Sequence, residues 1–105
     1  METALKAIAA PRRRAILRLV RDGELSAGEI ASHFEISRPA VSQHLTVLRE
    51  AGLVDERRNG TRRLYRARPE GLAELKAFLD GFWDEKLEAL QQEAERKEQQ
   101  HGKRN

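Results

Sequence analysis

Three observations set the fold class of this chain. Apolar residues recur at helical spacing in five separate segments. A capping box and a short turn join the third segment to the fourth. Asn59-Gly60 then sits between two arginine-rich segments of strand character, a strong hairpin signal. Together they predict a mostly α fold with a small β-hairpin, in the order α-α-α-α-β-β-α: a winged helix-turn-helix. With 105 residues and neither repeat nor linker, one domain is expected over 1–100, with a disordered tail over 101–105.

The elements follow in order. Residues 3–9 predict a short helix with Leu5 and Ile8 on one face. Pro11 suits the first turn of a second helix, where its missing N–H is not needed, and Ile16, Leu17, Leu19 and Val20 form the apolar side. Gly23 is a natural stop. Ser26 and Glu29 make the capping box of a third helix, with Ile30, Ala31 and Phe34 inward and a tight turn at Glu35-Ile36. Ser37 caps a fourth helix over about 38–51, whose inward face is Val41, Leu45 and Leu48; Gly52 ends it. Leu53-Val54 begins a strand. A type I′ turn at Asn59-Gly60 and a return strand Thr61 to Ala67 follow, with Leu64 inward. Residues 70–100 predict a long helix carrying the stripe Leu72, Leu75, Leu79, Phe82, Trp83, Leu87 and Leu90. After Leu90 almost nothing is apolar, so that helix is expected to fray.

Composition narrows the function. There is no cysteine, which excludes a disulfide framework, a thiolate metal site and a thiol switch. The start METALKAIAAPRRR has no long apolar run and no segment approaches a membrane span, so a cytoplasmic protein, nucleoid-associated when on DNA, is expected. Catalysis is not expected: there is no nucleophile–base constellation, phosphate-cradling glycine loop or cofactor motif. The net charge of +3 hides a division. Residues 1–68 hold 14 Lys/Arg against 8 Asp/Glu, and residues 69–105 hold 6 against 9. Fifteen of the 20 basic residues are arginine, the fork-shaped binder of phosphate and guanine. A one-sided basic surface is the footprint of a nucleic-acid binder.

The chemistry concentrates in residues 36–63. With Val41, Leu45 and Leu48 buried, the fourth helix presents Arg38, Ala40, Ser42, Gln43, Thr46 and Arg49, with His44 beside them. Arginine pairs bidentately with guanine and glutamine with adenine, and small side chains meet the thymine methyl. Arg38, Ala40, Ser42, Gln43 and His44 are therefore candidates for base contact, being nearest the deep N-terminal end of such a helix. Thr46 and Arg49 are candidates for phosphate. Ser37 with Pro39 opens the helix, where exposed N–H groups favour a phosphate. Six arginines lie within 57–68. The wing, 57–63, with Arg57, Arg58, Asn59, Gly60, Arg62 and Arg63, is expected to grip the backbone or enter the minor groove. Only Asp55 and Glu56 are near this quartet of arginines in sequence. An edge hairpin charged against aggregation is the plainer alternative, but mixed signs would serve that equally well. Arg12, Arg13, Arg14, Arg18 and Arg21 suit either phosphate or pairing with Glu24, Glu29 or the acidic last helix. The long apolar stripe exceeds the needs of one small core. A homodimer through Leu5, Ile8, Leu72, Leu75, Leu79, Phe82, Trp83, Leu87 and Leu90 would cover it, placing two recognition helices roughly 34 Å apart on double-stranded operator DNA.

The segments Pro11–Leu17, Glu24-Leu25, Ile36–Leu45, Leu48, Ala51–Val54 and Arg58–Tyr65 give the chain a resemblance to the ArsR/SmtB family of repressors, over about residues 3–90. The resemblance implies a homodimer joined through first and last helices, binding an operator and, in many members, released by an effector. The family's soft-metal motif is Glu-Leu-Cys-Val-Cys-Asp. Here Ser26 and Gly28 stand where its thiolates would be, so no metal and no cofactor are expected. The family's second zinc site, on the last helix, lacks its histidines here: the first is His101. Ala10 replaces the aspartate cap common in relatives. Two alternatives stay open: a sensor of a hard metal or small molecule near Phe82 and Trp83, and a winged-helix interaction module without DNA binding.

Overall fold

The protein is described here from a computed structural model, which covers residues 1–102, with side chains to residue 98. The elements are α1 (Glu2–Ile8), α2 (Pro11–Arg21), α3 (Ala27–Ala31), α4 (Arg38–Glu50), β1 (Val54–Asn59), β2 (Arg62–Ala67) and α5 (Pro69–Gly102). The order is the one predicted. Where the sequence suggests one domain over 1–100, the chain divides into two compact units, one ending at Leu75 and the other starting at Lys76. Of the expected tail, 103–105 lie outside the described residues.

The first unit is held by local signals and one core. Ser26 Oγ accepts from Glu29 N at 3.1 Å while Ser26 N donates to Glu29 Oε1 at 3.1 Å, so the capping box is complete. Ser37 Oγ accepts from Ala40 N at 3.2 Å and starts α4. Gly52, at φ +74°, lets the chain turn left-handed after α4. Its N–H reaches Arg49 O and that of Leu53 reaches Leu48 O, both at 3.0 Å. That pair of bonds is a Schellman motif, and its apolar partners Leu48 and Leu53 are both fully buried. Around them pack Ile16, Val20, Ile30, Val41, Leu45 and Val54, each at most 1% exposed. Burying such a side chain is worth about 1.5–3 kcal/mol.

In α1 the residues facing this core are Ala4 and Ala7; Leu5 and Ile8, expected on one face, are half-buried beside it. Other expectations need correction. α3 is a turn shorter than expected. Ser32 to Phe34 continue it only as a turn with i→i+3 bonds, such as His33 N to Ile30 O at 3.0 Å, so Phe34 lies beyond the helix. The hairpin loop is Gly60-Thr61, since Asn59 pairs with Arg62. Only Gly60 has positive φ (+66°), the sign pattern of a type II′ turn with glycine first, not the expected type I′. On β2 the core takes Tyr65 and Ala67; Leu64 is buried too, but outside that cluster. Tyr65 also bridges Leu25 through backbone bonds of 3.0 and 2.8 Å, which ties the wing to the segment before α3. The start of α5 packs against the Gly52 turn. A methyl on Gly71 would stand 1.9 Å from Gly52 O, so only glycine fits there.

The predicted stripe of α5 divides between the units. Leu75 is 5% exposed and Leu72 packs on the first core. From Lys76 onward the helix is exposed throughout its described side chains. Phe78, Leu79, Phe82, Trp83, Leu87 and Leu90 all face solvent, Trp83 at 62%. Lys76–Asp80 (2.8 Å) and Lys97–Glu93 (3.9 Å) are i,i+4 pairs along it.

Candidate nucleic-acid interface

With Val41, Leu45 and Leu48 buried, α4 leaves Arg38, Pro39, Ser42, Gln43, Thr46 and Arg49 exposed and Ala40 half-buried. Opposite its N-terminal half stands the wing. Arg38 and Ser42 of α4 line one groove with Thr61, Arg62 and Arg63 of the hairpin. Recognition helix and wing thus share one surface, and Asn59 and Gly60 form its exposed tip.

The wing arginines are not the unpaired cluster that the sequence suggests. Arg57 Nε donates to Glu24 Oε2 at 2.9 Å, and Arg62 pairs with Glu29. Arg63 Nε lies 3.6 Å from Glu56 Oε1, and Arg49 pairs with the same carboxylate. Glu24 and Glu29 are distant in sequence and are brought here by the Leu25–Tyr65 bridge. Among the described residues Arg58 has no such partner. Exposed pairs of this kind are worth about 0–1 kcal/mol, so the arginines remain able to exchange a carboxylate for a phosphate. Glu29 is held below its ordinary pKa first by the backbone N–H and hydroxyl of Ser26, then by Arg62.

Of the upstream arginines, Arg21 lies 3.4 Å from the Asp22 carboxylate, while Arg13 and Arg14 turn to backbone carbonyls. Arg13 donates to Ala7 O (2.6 Å) and Lys6 O (3.0 Å), and Arg14 donates to Ile8 O (2.7 Å) and Ala9 O (3.2 Å). They satisfy the last carbonyls of α1, where a helix end favours cations. Arg12 lies 5.0 Å over the Phe34 ring. Ala10 is the N-cap of α2 and supplies no side-chain bond.

Two candidates on α4 are engaged within the chain. His44, expected near the base-contact face, is half-buried with Nδ1 3.5 Å from an Arg13 nitrogen. Burial, then Arg13 and Arg12, push its pKa below the ordinary value. The Thr46 hydroxyl donates back to Ser42 O at 2.9 Å, leaving it no proton for a phosphate. Residues absent from the sequence list are Glu24, Glu29 and Gly28, whose role is steric: a methyl there would lie 3.3 Å from Arg38 Cζ. Phe78 is likewise missing from the stripe, although its spacing from Leu75 and Phe82 is helical. At the soft-metal positions, Ser26 is used as a helix cap and Gly28 has no donor.

Comparison with known proteins gives the same picture. Residues 10–56 match the family described as bacterial regulatory protein, arsR family. The chain is 49% identical over 86 residues to the HTH-type transcriptional regulator Rv2034 of Mycobacterium tuberculosis, covering 82% of this chain and 80% of that protein. It is 45% identical over 60 residues to the transcriptional repressor SdpR of Bacillus subtilis, covering 57% and 67%. The solution structure of a homodimeric winged helix-turn-helix DNA-binding domain from Mycobacterium bovis, a possible ArsR-family regulator, superposes with TM-score 0.66 at 37% identity, covering 80% of this chain and 78% of that one.

Proposed function

Since the chain belongs to the ArsR family of bacterial regulatory proteins, we propose that it represses transcription as a homodimer on operator DNA, with α4 in the major groove and the wing on the flanking backbone. One observation carries this reading: the exposed polar face of α4 and the arginines of the hairpin border a single groove. A plain solvated helix has no need of that arrangement. Gln43 and Ala40 are the assigned base readers, because Gln43 is exposed and free of any bond within the described residues. Arg57, Arg58, Arg62, Arg63 and Arg49 are assigned to phosphates, and Ser37 with Pro39 to the helix end that approaches the backbone. His44 is reassigned to packing, given its place against Arg13.

Dimerisation is assigned to the apolar face of α5 from Phe78 to Leu90, with Leu5 and Ile8 of α1, which their own core leaves half-buried. Leu75 is excluded from that role by its burial. Repression is favoured over activation because more of the relatives are named repressors, SdpR and an arsenical resistance operon repressor among them, while HlyU of Vibrio cholerae is named an activator.

The test is DNA retardation on a sequence selected from genomic fragments by the purified chain. Gln43→Ala should cost about 1–3 kcal/mol on that sequence and nothing on random DNA. Equal loss on both would show that Gln43 does not read bases, and retardation of no duplex at all would reject the reading as a whole.

A further inference from the structure

The groove between α4 and the wing encloses about 390 Å³. A bulk water occupies about 30 Å³, so there is room for one tetrahedral anion and several waters. Its polar lining is Arg38, Arg62 and Arg63 with the hydroxyl residues Ser26, Ser42, Thr61 and Tyr65, and no carboxylate is among the lining residues. Arg62 and Arg63 are each held by one carboxylate, Glu29 and Glu56, and a guanidinium has five N–H donors, so both keep donors in reserve. Arg38 has no carboxylate partner among the described residues. Its guanidinium lies over the first turn of α3, close enough to Gly28 that a methyl there would stand 3.3 Å from Arg38 Cζ.

We propose that this cavity is a phosphoryl-binding site, with Arg38 as its uncompensated cation and Arg62, Arg63 and Ser42 completing the donor set. Three guanidinium forks and the hydroxyl residues beside them offer donors from several directions. That suits an anion with three or four oxygens better than a planar carboxylate, which uses two. A phosphoryl group has two possible sources, the DNA backbone and a free phosphate. The first rests on the DNA-binding reading above; the second does not. If free phosphate enters, it occupies donors that the wing would offer to DNA, and so weakens DNA binding.

Two measurements on the full chain decide the matter. In the first, the arginine Nε–Hε resonances of 15N-labelled protein are followed as inorganic phosphate is added at constant ionic strength, for wild type, Arg38→Gln and Arg66→Gln. Arg66 is an exposed arginine that does not line the cavity, so its variant removes the same charge elsewhere. In the second, retardation is measured on the selected duplex with single phosphates replaced by neutral methylphosphonates. Saturable shifts in wild type and Arg66→Gln, weakened about tenfold in Arg38→Gln, establish the site with free phosphate as ligand. No saturable shift, but one neutralised position that weakens wild type and Arg66→Gln and leaves Arg38→Gln unaffected, establishes it with the backbone as source. Equal losses in the two variants overturn the proposal, since charge alone then explains the binding. So does the absence of both effects. Should the chain retard no duplex, the functional reading fails, while the phosphate titration still decides the cavity. Thermal melting of each variant and a Ser42→Ala protein, expected to be weakened in the same direction, separate ligand loss from unfolding.

Discussion

Up to Leu75, most apolar side chains of this chain are buried or half-buried; from Lys76 on, those described are exposed. Ile16, Leu45 and Leu53 are buried to within 1% on a core closed by a Schellman turn and two capped helices. On the later part of α5, Phe82, Trp83, Leu87 and Leu90 repeat at the same helical spacing and remain exposed. The hydrophobic pattern is alike in the two regions, so pattern alone does not say whether a face is satisfied. What differs is the presence of surrounding elements to pack against it. The first region closes its own core, and the second leaves exposed the apolar surface to which dimerisation is assigned in the proposal above.

That contrast is open to attack at four points. Leu45→Ala should give the largest effect, a loss of about 2–5 kcal/mol, because a cavity opens in a closed core. Denaturant unfolding would show it at every protein concentration; a concentration-dependent loss would mean that the core is not self-contained. Trp83→Ala should leave that core intact and instead raise the dimer dissociation constant, by about 2 kcal/mol if Trp83 anchors the interface. Sedimentation equilibrium measures this, and an unchanged constant would remove Trp83 from the contact. Ala10→Asp should add about 1 kcal/mol by capping α2, with dimerisation unaffected. A melting temperature that does not rise would show that the first N–H groups of α2 gain nothing from a side-chain acceptor at position 10.

The smallest effect concerns pH. His44 has a depressed pKa in the folded state, so the unfolded chain binds more protons near and below the ordinary histidine value of 6.5. Its contribution is therefore present above that value and lost as pH falls through the folded pKa. The acid-side decline in stability should be shallower in His44→Gln than in wild type, as measured by urea melts across that range. An equal slope would detach His44 from the Arg13 environment.

Much of the first region was legible in the sequence because its signals are local. Ser26 with Glu29, Ser37 and Gly52 each act within about a turn of helix, and Val41, Leu45 and Leu48 follow from phase alone. Errors arose where local signals compete. Asn59-Gly60 allows more than one two-residue loop, and the register of β1 on β2 selected Gly60-Thr61. Glu56 was visible beside the wing, but the pairing of Arg57 with Glu24 and of Arg62 with Glu29 was not, since each spans 33 residues.

The sequence alone therefore determined the element order, the helix starts at their caps, the exposed polar face of α4 and the family resemblance. These depend on spacings of a few residues, which backbone geometry converts directly into structure. Only the tertiary fold decided where the long charged side chains end. It sent Arg13 and Arg14 to the carbonyls of α1, Arg57 and Arg62 to Glu24 and Glu29, and Arg38 to the hollow over Gly28. An arginine reaches several ångströms in many directions at little cost, so its partner is chosen by what the fold brings near, not by its neighbours in the chain.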